Sequence, residues 1–283
     1  MSLPGVAFTA LAAAAARAVE TSRADRLVED PFAAAFVAAV PSPVPLPTRW
    51  PDDLGTLTDQ QTLLLLGAHY VGLRTRFFDD ALRDAHQVVL LAAGLDTRAF
   101  RLAWPAGATV FELDRPDVLA VKSSVLTAAD ARARCTRVTV ATDLAGDWTA
   151  PLLAAGFDRA APTTWIAEGL LQYLSPEAEQ DLVTAVDRLS APGSALAAER
   201  ALDLGDPRHL RAGGERAGIR IDRLVHGGPR ADLAGLLREH GWTARDVPVD
   251  DVAARYGRTL VHPDLVRAPH RPTQAGFTTA TKG

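Results

Sequence analysis

Two acids and a glycine carry the clearest chemical signal in this chain. Gly94 and Asp96 stand in a turn after the apolar run Gln87 to Ala93, and Asp114 closes a second β-rich run, Thr109 to Leu113. The first run suits a buried strand and is too short for a helix. Strand, glycine turn, strand, then an acid about 20 residues past the turn is how a doubly wound sheet holds a nucleoside. Glycine lets the backbone approach the ligand, and a carboxylate at the second strand's tip can accept hydrogen bonds from both ribose hydroxyls. A turn that only packs is the plainer alternative.

The same turn discriminates between cofactors. A dinucleotide fingerprint, G-x-G-x-x-G, cradles a pyrophosphate at a helix N-terminus. Here Ala92 to Thr97 holds one glycine and an acid. Asp96 repels a pyrophosphate and can receive an ammonium group. S-adenosylmethionine offers an ammonium and an adenosine ribose without phosphate, which disfavours a nicotinamide dehydrogenase.

These segments resemble the leucine carboxyl methyltransferase-like family. AAGLDTRAFRL, FELDRPDVLAVK, ATDL (141–144) and AEGLLQYL (167–174) occur in that family's order and spacing, and TALAAAAARAVETSRADRLVEDPFA resembles the opening of its bacterial branch. The likeness covers roughly residues 5 to 200 well and the remainder loosely. It implies a class I S-adenosylmethionine-dependent O-methyltransferase of the tetracenomycin-type polyketide or actinobacterial branch. It also implies roles. Asp143 and Leu144 belong at the adenine, Arg74 against the cofactor's carboxylate, and Arg23 as a second cation there. Arginine suits a carboxylate because its planar fork donates two parallel bonds. Glu168 can meet the ammonium, and Tyr173 falls where the family has an aromatic near the substrate. His69 and Tyr70, on the helix of Arg74, could reach the same cavity, His69 as a catalytic group, with packing residues as the plainer alternative.

Each role has a structural rival. Asp114 is a candidate helix N-cap before Pro116, Asp143 a turn aspartate and Glu168 a helix-capping acid. Arg76 and Asp80 have the spacing of a solvated i,i+4 pair.

The elements that would position these groups follow from punctuation and periodicity. Strands are expected at 87–93, 109–113, 137–142, 163–167, 194–199 and, last and antiparallel by the resemblance, 277–281. Helices are expected at 56–83, 116–130, 147–155, 175–190 and 229–240. Residues 5–39 read as two helices broken near Thr21 and Ser22, with Asp30-Pro31 as a helix-start signal and Phe8, Leu11, Ala15 and Val19 as a buried stripe. Alternation of strands and helices argues an α/β, Rossmann-like, mostly parallel sheet. We expect one methyltransferase domain over 1–283, with a helical lid at 1–84, a cofactor-binding core at 85–200 and a substrate-side insertion with the C-terminal strands at 201–283.

Composition sets the outer limits. Among 283 residues, 48% are hydrophobic and 23% charged, as in an ordinary globular protein. A net charge of −4 offers no general attraction to phosphate backbones, so nucleic acid is not an expected partner. The single cysteine, Cys135, excludes an intrachain disulfide and reads as a small apolar residue near a helix end. The scattered histidines give no metal-binding pair, and no G-x-S-x-G elbow supports a hydrolase. The apolar run 11–19 is too short for a bilayer and is interrupted by Arg17, so we expect a cytoplasmic protein, monomer or homodimer, with no membrane contact. The expected reaction is methyl transfer to a carboxyl or phenolic oxygen of a small molecule in secondary metabolism. Methylation of a peptide or protein C-terminus, or a non-catalytic cofactor sensor, are the alternatives.

Overall fold

The computed structural model describes residues 5–200, 232–265 and 276–283, with side chains from residue 8 onward. Its centre is a seven-stranded sheet in the order β3-β2-β1-β4-β5-β7-β6. The strands are β1 (Gln87–Leu91), β2 (Thr109–Asp114), β3 (Thr136–Ala141), β4 (Thr163–Ala167), β5 (Ala195–Glu199), β6 (Trp242–Pro248) and β7 (Gly276–Lys282). β1 to β5 run parallel, and β7 inserts antiparallel between β5 and β6. The expected α/β doubly wound class, with an antiparallel last strand, is what the chain adopts.

The helices are α1 (Gly5–Thr21), α2 (Ala33–Ala39), α3 (Asp59–Ala81), α4 (Arg98–Arg101), α5 (Pro116–Ala128), α6 (Thr149–Ala154), α7 (Pro176–Leu189), α8 (Leu233–Glu239) and α9 (Val249–Arg255). β1 is buried along its whole length because both faces are covered. On one face Val89 and Leu91 meet Trp165, Val186 and Leu237, while on the other Val88 and Leu90 meet Phe78, Val252 and Phe277. α1 packs chiefly on α3, and its stripe of Phe8, Leu11, Ala15 and Val19 is buried as expected.

Several boundaries differ from the sequence reading. β1 stops at Leu91 because Ala92 turns into the left-handed region at φ 53°, which ends the ladder two residues early. The helix expected at 229–240 begins at Leu233, where the Asp232 side chain caps it by accepting from the Gly235 amide, and residues 229–231 lie outside the described residues. Asp30 does not occupy the cap position of α2, which begins at Ala33 behind Phe32; its Oδ1 accepts from the Phe32 amide while its Oδ2 is engaged by Arg17 and Thr97. Cys135 sits at the entry to β3 rather than at a helix end, half-buried with Sγ 3.8 Å from the Ala99 carbonyl. β6, α4 and α9 were not foreseen. β6 carries Arg245, Asp246 and Pro248, the residues of an edge strand, and only Trp242 and Val247 are buried along it. Among the described residues, no helix is long and apolar enough to cross a membrane.

Candidate functional site

β1 lies between β2, formed next, and β4, formed after the chain has crossed back, so the strand order reverses between β1 and β4. Ligands of open α/β sheets sit beyond the strands' carboxyl ends at such a reversal. A cleft of about 380 Å³ opens there. Gly94 and Asp96 enter it after β1, Asp114 at the end of β2, Asp143 and Leu144 after β3, and Glu168 after β4. Arg74 of α3 and Tyr173 of a single 3₁₀ turn (Leu171–Tyr173) complete the set, and α1 supplies the opposite wall through Ala10, Ala13 and Arg17.

Asp114 is fixed by two backbone donors. Its Oδ2 accepts from the Gly94 amide at 2.6 Å and its Oδ1 from the Arg115 amide at 2.7 Å. The cap position of α5 is Arg115, with no side-chain cap bond, so Asp114 is not the helix cap. Each carboxylate oxygen keeps further acceptor capacity. Burial raises the Asp114 pKa, against the pull of its two amides. Gly94 adopts φ +48°, and a Cβ there would stand 3.4 Å from the Ala10 Cβ and 3.9 Å from the Ala92 carbonyl. Ala92, at φ 53°, holds a left-handed conformation without being glycine, a strain of the kind found at ligand clamps.

Behind the cleft floor lies a buried charge cluster centred on Arg98, which is 2% exposed. Its Nε donates to Asp79 at 2.7 Å, and its Nη1 meets Asp96 and, at 2.7 Å, Glu168. Arg101 binds the same Asp79 at 2.7 Å. Arg74 Nε lies 2.8 Å from Glu168 without the alignment of a hydrogen bond, and its Nη1 donates to Glu199 at 3.2 Å. Glu199 also accepts from Tyr70 Oη at 2.5 Å and from the Gly169 amide at 2.7 Å. Arg74, Arg98 and Arg101 therefore face Asp79, Asp96, Glu168 and Glu199, one more carboxylate than guanidinium. Such a cluster accepts a further cation more readily than a further anion. Burial opposes charging of Asp96, yet Arg98 and the neighbouring cations hold its pKa down at about 2. Burial likewise opposes the ionisation of Glu168, and Arg98 and Arg74 overcome it.

These contacts change several expectations. Asp96 is not a free acceptor, since Oδ1 takes the Arg98 amide and Oδ2 its guanidinium. Glu168 does not cap a helix; Ser175 caps α7. A bidentate grip by Arg74 on an external carboxylate would require it to leave Glu168 or Glu199. Asp143 does form the turn its rival role describes, with Oδ1 accepting from the Ala145 amide at 2.9 Å, while it also faces the cleft. Arg76 pairs with Asp80 at 3.2 Å, as the i,i+4 spacing suggests.

Arg23 and His69 stand outside the cleft. Arg23 pairs with Asp25 at 2.8 Å and lies 4.1 Å over the Trp50 ring. His69 is buried, its Nε2 2.7 Å from the Thr259 carbonyl and its Nδ1 3.4 Å from Arg23. The cause is helical geometry. At about 100° per residue, His69 and Arg74 point about 140° apart on α3, whereas Tyr70 and Arg74 share a face. Of the two, Tyr70 therefore stays on the side of Arg74, where it donates to Glu199. Glu199, an acid closing a strand as Glu168 does, and Arg98, inside the AAGLDTRAFRL segment, were visible and not singled out.

Comparison with known proteins gives the family. The model of the leucine carboxyl methyltransferase family matches residues 10–187. A protein of Parafrankia sp. (strain EAN1pec), assigned by name to the S-adenosyl-L-methionine-dependent methyltransferases, is 45% identical over 267 residues, covering 90% of this chain and 83% of its own. A Streptomyces coelicolor protein assigned in the same way is 45% identical over 268 residues, covering 90% and 87%. In fold, the chain is similar to the crystal structure of a DUF574 family protein from Streptomyces avermitilis, with a TM-score of 0.51 at 16% identity, covering 78% of this chain and 86% of that one. The family match spans β1 to β4 and the acid at the tip of β2, and the chain belongs to the leucine carboxyl methyltransferase family, a family of S-adenosylmethionine-dependent methyltransferases.

Proposed function

We propose that this protein transfers the methyl group of S-adenosylmethionine to a carboxyl or phenolic oxygen of a small molecule of secondary metabolism. The cleft suits the cofactor on three counts. Asp114 has acceptor capacity left for ribose hydroxyls, Gly94 lines the cleft with backbone alone, and the surplus carboxylate of the Arg98 cluster suits a ligand carrying ammonium and sulfonium charge. In this reading Asp143 and Leu144 hold the adenine. Arg74 meets the α-carboxylate by sharing or releasing its contacts with Glu168 and Glu199. Asp96 and Glu168 act through the cluster as a whole. When bound, the cofactor supplies an already activated methyl group on a sulfonium. The protein's residues then orient the acceptor and exclude water.

The observation that carries the oxygen acceptor is what the cleft's acids already bind. Asp96 is tied to Arg98 and Glu168 lies between Arg74 and Arg98, while Asp114 and Asp143 are read at the cofactor's ribose and adenine. Carboxylates held by guanidinium groups are poor proton acceptors. An acceptor that is ionised at neutral pH, or readily ionised, needs no strong base, which describes a carboxylate first and a phenol second. Tyr173 is placed to line the acceptor's side. The chain is read as one domain, with 1–84 as its lid, 85–200 as its core and 201–283 on the substrate side; most of the expected insertion, 201–231, lies outside the described residues.

The test is calorimetry with S-adenosylhomocysteine and NAD, followed by transfer of labelled methyl to panels of carboxylic acids, phenols and C-terminal peptides. We expect binding of the first ligand only and label in small acids or phenols. Mild alkali releases methyl esters and leaves aryl ethers, which separates the two acceptors. Label found solely in peptides makes the substrate a C-terminus. Cofactor binding with no transfer to any acceptor supports a sensor.

A further inference from the structure

Another buried ion pair stands beside the cleft, within the field of Arg101 of the Arg98 cluster. The side chain of Asp30 has 0% exposure. Its Oδ2 accepts from Arg17 Nε at 2.8 Å and from Thr97 Oγ1 at 2.7 Å, and its Oδ1 from the Phe32 amide at 3.1 Å. Arg17 in turn donates through Nη2 to the Leu95 carbonyl at 2.7 Å. One carboxylate thus joins α1, the segment before α2 and the turn after β1. The contact is more than electrostatic, since α1 presses Ala10 toward Gly94 and walls the cleft with Ala13 and Arg17.

We propose that Asp30 and Thr97 are positioning residues that latch α1 onto the turn 92–97, so that cofactor binding and docking of α1 are a single equilibrium. The proposal rests on the cofactor reading above. The turn needs outside support, because Ala92 and Gly94 both sit in the left-handed region, at φ 53° and 48°. Bonds to Leu95 O and Thr97 Oγ1 supply that support from α1 and Asp30. When they are absent, the turn occupies its binding conformation for a smaller fraction of the time, and apparent affinity falls by that fraction. Coupling is reciprocal, so a cofactor that selects the turn's bound form also strengthens the docking of α1. Neither Asp30 nor Thr97 lines the cleft, so both act through other groups.

The experiment compares wild type with Thr97→Val, which keeps the shape and removes the donor, Thr97→Ser, which keeps the donor, and Asp30→Asn. S-adenosylhomocysteine affinity is measured by calorimetry, folding by thermal melts, and hydrogen exchange of residues 8–21 and 92–97 with and without ligand. In wild type the ligand should slow exchange in both segments. Thr97→Val and Asp30→Asn should bind roughly ten-fold more weakly, the loss of one buried charge-assisted bond, and lose the ligand-induced protection of α1. Thr97→Ser should restore both. A folded Thr97→Val that binds and protects α1 as wild type does overturns the latch and leaves the cofactor reading intact. Should Thr97→Val not fold, Asp30→Asn decides by the same two readouts. Wild type that does not bind S-adenosylhomocysteine overturns the cofactor reading and the latch with it.

Discussion

Asp114 shows how one side chain can serve a strand end and a ligand together. Its carboxylate is held by the amides of Gly94 and Arg115, which aim it without exhausting its acceptor capacity. Asp114→Ala should weaken S-adenosylhomocysteine binding by about 1–3 kcal/mol, because ribose hydroxyls lose a charged acceptor. The ionised form is the one that binds, and burial raises the folded pKa above 3.8. Affinity should therefore drop as pH falls through that raised pKa, beginning at a higher pH than for a solvated aspartate. Calorimetry of both proteins across an acidic pH series checks this. An equal pH slope in wild type and Asp114→Ala would assign the titration to another group.

At the scale of elements, the decisive feature is the turn that ends β1 and faces α1. Gly94 combines a positive φ with a neighbouring helix 3.4 Å from any added Cβ. Gly94→Val should cost about 1–2 kcal/mol for the left-handed backbone and also push α1 off the turn. We expect a folded protein with a lower melting temperature and no measurable S-adenosylhomocysteine binding. Wild-type affinity in that variant would mean that the turn only packs and the cofactor lies elsewhere. The same turn explains why β1 is shorter than its apolar run: Ala92 and Ala93 look like strand residues, but Ala92 turns at φ 53°.

Across the whole molecule, charge burial sets the response to acid. His69 and His262 meet edge to face at 5.4 Å where α3 packs on the segment that carries Arg258 and Thr259. Facing them are Arg23, Asp25, Arg258 and Asp264. Burial lowers both imidazole pKa values below 6.5, against the bond to the Thr259 carbonyl at His69. The unfolded chain then takes up protons first, so stability present above pH 6.5 is lost as pH falls toward the folded values. Asp96 and Glu168 are depressed carboxylates, whose contribution holds above their unfolded pKa values of 3.8 and 4.5 and is lost below, near pH 2 for Asp96. Melting temperature should thus decline in two stages on acidification. His69→Gln should make the first stage shallower and leave the second. Identical slopes in both proteins would remove the histidines from the account.

How much of this was legible beforehand follows from the range over which each feature is set. The strand–turn–strand unit, the acid at its end and the α/β alternation are local in sequence. Periodicity, glycine placement and strand-end carboxylates therefore determined the sheet class and brought Gly94, Asp114, Asp143 and Glu168 to one sheet edge, and the family resemblance added Arg74. Chain segments far apart decided the rest. Whether Asp96 is free depended on Arg98 turning back onto it and onto Glu168 and Asp79. Whether Arg74 is free depended on Glu199, 125 residues away. His69 left the cleft because its side of α3 packs against a segment 190 residues downstream. Asp30, legible only as a helix-start signal, became the carboxylate shared by Arg17 and Thr97. A sequence states which groups can carry charge, but burial and the partners that cancel each charge exist only once the chain has closed on itself.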